Sequence, residues 1–152
     1  MIQTKEQGRH KTITTLKKYH EVMEPGKEKE FFAKYQPYEV REIEGNALVN
    51  AGINVMWNLI CGGGGTAFNN ANSTLEVYIT DAYVAGTLDG SFPTYGTDQK
   101  ATWKASWTGA TGDGPWSKWK VTNGAVDLNE KTEALGTKSG GTWTLEVSIT
   151  LS

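Results

Sequence analysis

From Thr142 to Ser152 the chain alternates without a break: Trp143, Leu145, Val147, Ile149 and Leu151 are interleaved with Thr142, Thr144, Glu146, Ser148, Thr150 and Ser152. A side-chain period of two puts the apolar set on one face of a pleated strand and the polar set on the other. Such a strand must bury one face against a second layer, so the segment points to stacked antiparallel sheets.

The same period recurs upstream. Leu75, Val77 and Ile79 alternate with Glu76, Tyr78 and Thr80. Ala101, Trp103, Ala105 and Trp107 alternate with Lys100, Thr102, Lys104 and Ser106, and Trp119 and Val121 with Lys118 and Lys120. Turn clusters separate these runs: TLDGSFPTYGTD, TGATGDGP and GTKSGG. Residues 128–135, GTKSGG and 142–151 read as a hairpin with a longer loop. The expected fold is all-β, an antiparallel β-sandwich or jelly-roll-like barrel of about five to eight strands with one helix.

That helix is expected at residues 46–60, NALVNAGINVMWNLI, where Leu48, Gly52, Val55, Met56, Leu59 and Ile60 fall near one stripe. Asn46 is the expected N-cap, and Gly62 opens a GGGG run that stops the helix. Ala51 and Gly52 are small enough to let another backbone come close. Cys61 is expected to be a small buried hydrophobe.

Composition divides the chain. Residues 1–44 hold nine of the 15 basic residues, eight of the 17 acidic ones and both histidines, but no tryptophan. Residues 45–152 hold 16 of the 18 glycines and all six tryptophans. The expectation is an extended N-terminal arm, 1–44, followed by a β domain, 45–152. Ile13, Leu16 and Tyr19 stand three apart, as on one helical face, and Phe31, Phe32, Tyr35 and Tyr38 follow. The arm reads either as a solvated tail or as a segment that orders against a neighbouring subunit. Extended, 44 residues reach about 145 Å, whereas a compact domain of the remainder has a radius of gyration of about 13 Å. Those seven aromatic and aliphatic residues are the candidate partner-binding anchors.

A net charge of −2 disfavours bulk attraction to nucleic acid or to an anionic membrane. No apolar run approaches the roughly 18 residues that cross a bilayer, and the polar start MIQTKEQGRHK does not read as a secretory signal. One cysteine excludes an intrachain disulfide. His10 and His20 both lie in the arm, which leaves the β domain without the commonest general base and metal ligand. The GGGG run lacks the Lys-Ser/Thr of a phosphate-binding loop. Asp81, Asp89, Asp98 and Asp113 sit at turns with a spacing that matches no EF-hand. A carboxylate pair for glycoside hydrolysis is the least favoured reading. The expectation is therefore no enzyme, no cofactor and no metal. Trp103, Trp107, Trp116, Trp119 and Trp143 are expected mainly in the core, with Trp116 the one expected at the surface; an exposed pair would instead stack on sugars.

The stretch NALVNAGINVMWNLICGGGGTAFNNANSTLEVYI, followed by ATWKASW, WSKWKVTNG and LNEKTEALGTKSGGTWTLEVSITLS, resembles virion structural proteins of tailed bacteriophages. The elements that carry the likeness are Asn50–Ile53, Gly62–Gly65, Ala67–Asn72, Leu135–Lys138 and Thr142–Leu145. It covers residues 45–152 and departs at Glu76–Asp81, where a Gly-Val-Gly-Asp-Ser-like turn is expected. The resemblance implies a capsid decoration (cement) protein on the outer head surface, with the major capsid protein and copies of itself, as a homotrimer, for partners. A tail or fibre-base component is the alternative within the virion, and a carbohydrate-binding adhesin module the alternative of another class. On this reading, deleting residues 1–44 leaves a folded domain that no longer binds heads.

Overall fold

The computed structural model describes residues 10–45 and 47–151. Two antiparallel sheets pack face to face. The first takes β1 (His10–Tyr19), β2 (Glu39–Glu44), β6 (Thr87–Leu88), β8 (Lys100–Thr108) and β11 (Thr142–Leu151) in the order β2-β1-β11-β8-β6, and β7 (Thr94–Thr97) also pairs with β8. The second runs β10 (Asp127–Lys138), β9 (Gly114–Thr122), β4 (Thr74–Ile79) and β5 (Ala82–Ala85), with the two-residue β3 (Ala47–Leu48) outside β10. The sheets stay separate, so this is a sandwich-like β protein and not a closed barrel. Two helices accompany them, α1 (Glu28–Lys34) and α2 (Asn50–Ile60), where one was expected.

The alternating runs form β4, β8, β9 and β11, and their apolar faces meet between the layers. Leu75, Val77, Trp119 and Val121 from one sheet are fully buried against Ala105, Trp107, Leu145 and Val147 from the other. Trp116 bridges the layers, lying edge-on to Trp107 and to Trp143 with ring centroids 4.9 Å apart in both pairs. Each indole N–H that enters the core must find an acceptor. Trp107 donates to the Val84 carbonyl at 3.0 Å, Trp116 to Gly112 at 2.7 Å and Trp119 to the Thr14 hydroxyl at 3.1 Å.

Residues 10–44 are not an extended arm. β1 pairs residue for residue with β11 from His10↔Leu151 to Tyr19↔Thr142, and β2 closes its other side. Leu16 enters the main core, and Tyr19 forms a second cluster with Met23 and Phe31 as α1 folds back onto the sheet. The helical spacing of Ile13, Leu16 and Tyr19 is overruled because β1 turns Thr12, Thr14, Leu16 and Lys18 inward, a mostly polar set in which Thr14 meets Trp119 and Lys18 meets Trp143, both far along the chain. The charge of this segment follows from its position: β2 is an edge strand, and Glu39, Arg41, Glu42 and Glu44 along it discourage edge-to-edge pairing.

Three further expectations give way. The segment 128–135 belongs to β10, which pairs with β9, while β11 crosses to the other sheet between β1 and β8, so no hairpin joins them. The helix begins at Asn50 rather than at residue 46, because residues 47–48 are taken by β3 against β10; Val49 is its N-cap, and Asn46 lies outside the described residues. Gly62, with φ +76°, ends α2 as expected. β4 runs straight through Glu76–Ile79, where the phage-like pattern expects a turn.

Candidate functional site

The seven expected anchors are spent mainly inside the molecule. Leu16, Tyr19 and Phe31 are buried, Ile13 is half-buried in mid-strand, and Phe32 and Tyr35 pack around Phe31. Tyr38 alone of the seven is exposed, and its ring stacks on His20 at 4.0 Å. Trp103, Trp107, Trp119 and Trp143 are buried as expected, but Trp116, expected at the surface, is not there. Trp116 is 1% exposed, whereas Trp57 is 61% exposed. Gly112 and Gly114 let the chain wrap Trp116 into the core, which its neighbours in sequence do not reveal.

Trp57 marks the candidate interaction surface. From Gly45 to Leu75 the chain has 31 residues with no Asp, Glu, Lys, Arg or His. α2 lies within this run. It is held against β10 by Gly52, where a Cβ would stand 2.6 Å from the Asp127 carbonyl oxygen and 2.7 Å from Leu128 Cα. Val55 and Met56 are half-buried beside it, but the last turn leaves the body: Trp57, Leu59 and Ile60 are exposed, and Cys61 is exposed where burial was expected. The stripe expected from Leu48 to Ile60 therefore ends at Met56. Ala51, the other small residue, faces solvent.

Beside α2, where the two sheets part, lies a cleft of about 640 Å³. Its walls are Leu48 and Met56 on one side, Trp103, Ile149 and Leu151 on the other, and Phe68 and Leu128 between. Trp103 is fixed there by donating to the Phe68 carbonyl at 3.2 Å. The β7–β8 turn forms the lip, with Asp98 and Gln99 at φ +55° and +52°. A concave apolar site of this size fits an apolar side chain or small molecule.

The outer face of the second sheet is a different surface. Tyr78 and Tyr83 pack edge to face at 5.1 Å, with the Lys120 ammonium 4.1 Å from the Tyr83 ring. Lys120 pairs with Asp127 at 3.0 Å and Glu76 at 3.6 Å, and Lys118 with Glu130 at 3.5 Å. Burial pulls the Lys120 ammonium down, but hydrogen bonding and charge from Asp127, with the charge of Glu76, leave it above its ordinary value; burial pushes the Tyr83 phenol up. These charges answer one another and aim at no common point. On the first sheet, Lys104 lies 3.8 Å from the Phe32 ring, and burial lowers its pKa.

Two of the loop acids, Asp89 and Asp113, serve local structure. Asp89 accepts from the Ser91 N–H at 3.0 Å. Asp113 accepts from Lys138, whose side chain is fully buried, at 3.0 Å and from the Gly140 N–H at 2.9 Å. Those two donors hold its carboxyl below the usual carboxylate range. Among the described residues no three His, Cys, Asp or Glu side chains gather as a metal site, and no helix is long and apolar enough to cross a membrane.

The fold and surface define a sandwich-like β protein with an exposed apolar helix end beside a largely apolar cleft. No family model matches the chain, and no match is found among curated proteins or solved structures.

Proposed function

We propose that this protein is a structural component of a bacteriophage virion, and there a decoration protein that binds the outside of an assembled head together with copies of itself. The observation that carries the reading is the exposed end of α2, where Trp57 and Ile60 are 61% and 71% exposed within a 31-residue run of sequence that has no charged side chain. Apolar surface of this kind gains free energy on being covered. The phage-like motifs of residues 45–152 supply the setting.

The mechanism is thermodynamic. A protein that binds only the assembled lattice stabilises it by mass action. Contacts made by an oligomer act at high effective concentration, so weak individual contacts add up. The major capsid protein is the proposed partner. Attachment is through the faces of the body, since residues 10–44 are held in the first sheet by β1 and β2.

Quantitative mass spectrometry of purified particles tests this, together with thermal release of the genome from heads with and without the protein. Many copies per head and heads that open at higher temperature are expected. A few copies confined to the tail would move the protein to a tail or fibre base, and particles without it would overturn the proposal. A glycan-binding module needs flat exposed aromatic pairs; of the six tryptophans only Trp57 is exposed, and the other five are at most 5% exposed.

A further inference from the structure

The chain between β1 and β2 carries α1 and packs on the outside of the first sheet. Along β1, Leu16 and Lys18 face the core, so Tyr19 faces the other way. The cluster that Tyr19 forms with Met23 and Phe31 is therefore separated from the main core by the sheet itself.

The segment is tied down at its two ends. The Met23 N–H donates to the Thr108 and Thr142 hydroxyls at 2.9 and 3.0 Å, and the Tyr38 N–H donates to the Lys18 carbonyl at 2.8 Å. Between these ties the hydrogen bonds of residues 24–37 stay within the segment, from the Lys27 N–H to Glu24, the Phe31 N–H to Lys27 and the Tyr35 N–H to Phe31. Among the described residues, none of its six charged side chains forms an ion pair. α1 has seven residues and no side chain capping its N-terminus, and a helix this short does not persist in water unaided. The sheet holds it mainly through two side chains. Tyr19 meets Phe31 and Phe32 with ring centroids 5.2 and 5.8 Å apart, and the Lys104 ammonium lies 3.8 Å from the Phe32 ring.

We infer that residues 24–37 are a strap, which opens as a unit while the sandwich stays folded and so brings Phe31, Phe32 and Tyr35 out to solvent. The cost of a local opening is set by the buried contacts it gives up. α1 buries only Phe31, whereas β11 alone buries Trp143, Leu145, Val147 and Ile149 in the main core. Opening leaves the β1–β11 and β1–β2 ladders in place, because both ties lie outside residues 24–37. Closed, the strap hides an aromatic cluster; open, it offers three rings within five residues. A neighbour that covers those rings would draw the strap open to the extent that it prefers the open form. The opening belongs to the free chain and does not rest on a virion setting.

Native-state hydrogen exchange of the full chain is the test. The amides of Phe31 and Tyr35 are hydrogen-bonded within α1, yet they are expected to exchange at least about a hundredfold faster than the central amides of β11. Phe31→Ala should erase the protection of the strap while the β11 amides stay at least about a hundredfold slower. Trypsin gives a second readout without a substitution. It is expected to cut the native chain at Lys27, Lys29 or Lys34 before any lysine of β8, β9 or β10, and the nicked pieces should elute together because β1 and β2 remain paired. Strap and β11 amides that exchange at one common rate, a Phe31→Ala chain that loses protection in both together, or strap lysines cut no sooner than strand lysines would each overturn the strap.

Discussion

Replacing Gly52 by alanine pits two effects of known sign against each other. In an exposed helix interior, Gly→Ala stabilises by about 1 kcal/mol. At Gly52 the new methyl would stand 2.6 Å from the Asp127 carbonyl oxygen, where ordinary contact starts at 3.4 Å, so α2 must lift from β10 by about 0.8 Å. The obstacles are backbone atoms of β10, which the ladders to β9 and β3 hold in place. Overpacking against a rigid wall costs about 1–3 kcal/mol, and contact with backbone puts this case in the upper part of that range. The clash wins, with a net loss of about 1–2 kcal/mol. For a chain of this length each kcal/mol moves the melting temperature by about 2–4 °C, so differential scanning calorimetry should record a fall of roughly 2–8 °C. Asn54→Ala, at an exposed position of the same helix, should instead raise it slightly. A Gly52→Ala protein that melts higher than the native one would refute the close packing of α2 on β10.

Deletion of residues 1–44 is expected to abolish cooperative unfolding, because it removes β1 and, beyond it, β2, leaving β11 as an open edge and Leu16 missing from the core; a truncated chain with a sharp thermal transition would contradict this. Asp113→Asn tests the Lys138 contact through pH. The native carboxyl is held low by Lys138 and Gly140, so its contribution is present above the unfolded carboxyl value of 3.8 and is lost as pH falls through the lower folded value. The melting-temperature gap between native and variant should be open at neutral pH and close on acidification below that value. A gap that stays constant down to acid pH would show that the charge on Asp113 contributes nothing.

β8, β9 and β11 were legible because each buries one face and wets the other, so that the period of two is written in neighbouring residues. α2 was legible from Asn50 to Ile60, but its exposed end was not. Leu59 and Ile60 continue the apolar stripe in sequence, and only the position of β10, touching the helix at Gly52, leaves them uncovered. The signal for the candidate surface is present in another form, as the absence of charge across residues 45–75.

Local pattern thus determined the layers: alternating strands, a glycine-terminated helix, and a core rich in tryptophan. Tertiary structure decided where residues 10–44 belong. Thr14 is buried because Trp119 needs an acceptor for its N–H, and Lys18 because its ammonium lies 4.2 Å from the Trp143 ring and pairs with Glu39. These partners are more than a hundred residues away or on the neighbouring strand. A polar residue read alone signals solvent; once its partner is in place, burial costs it little.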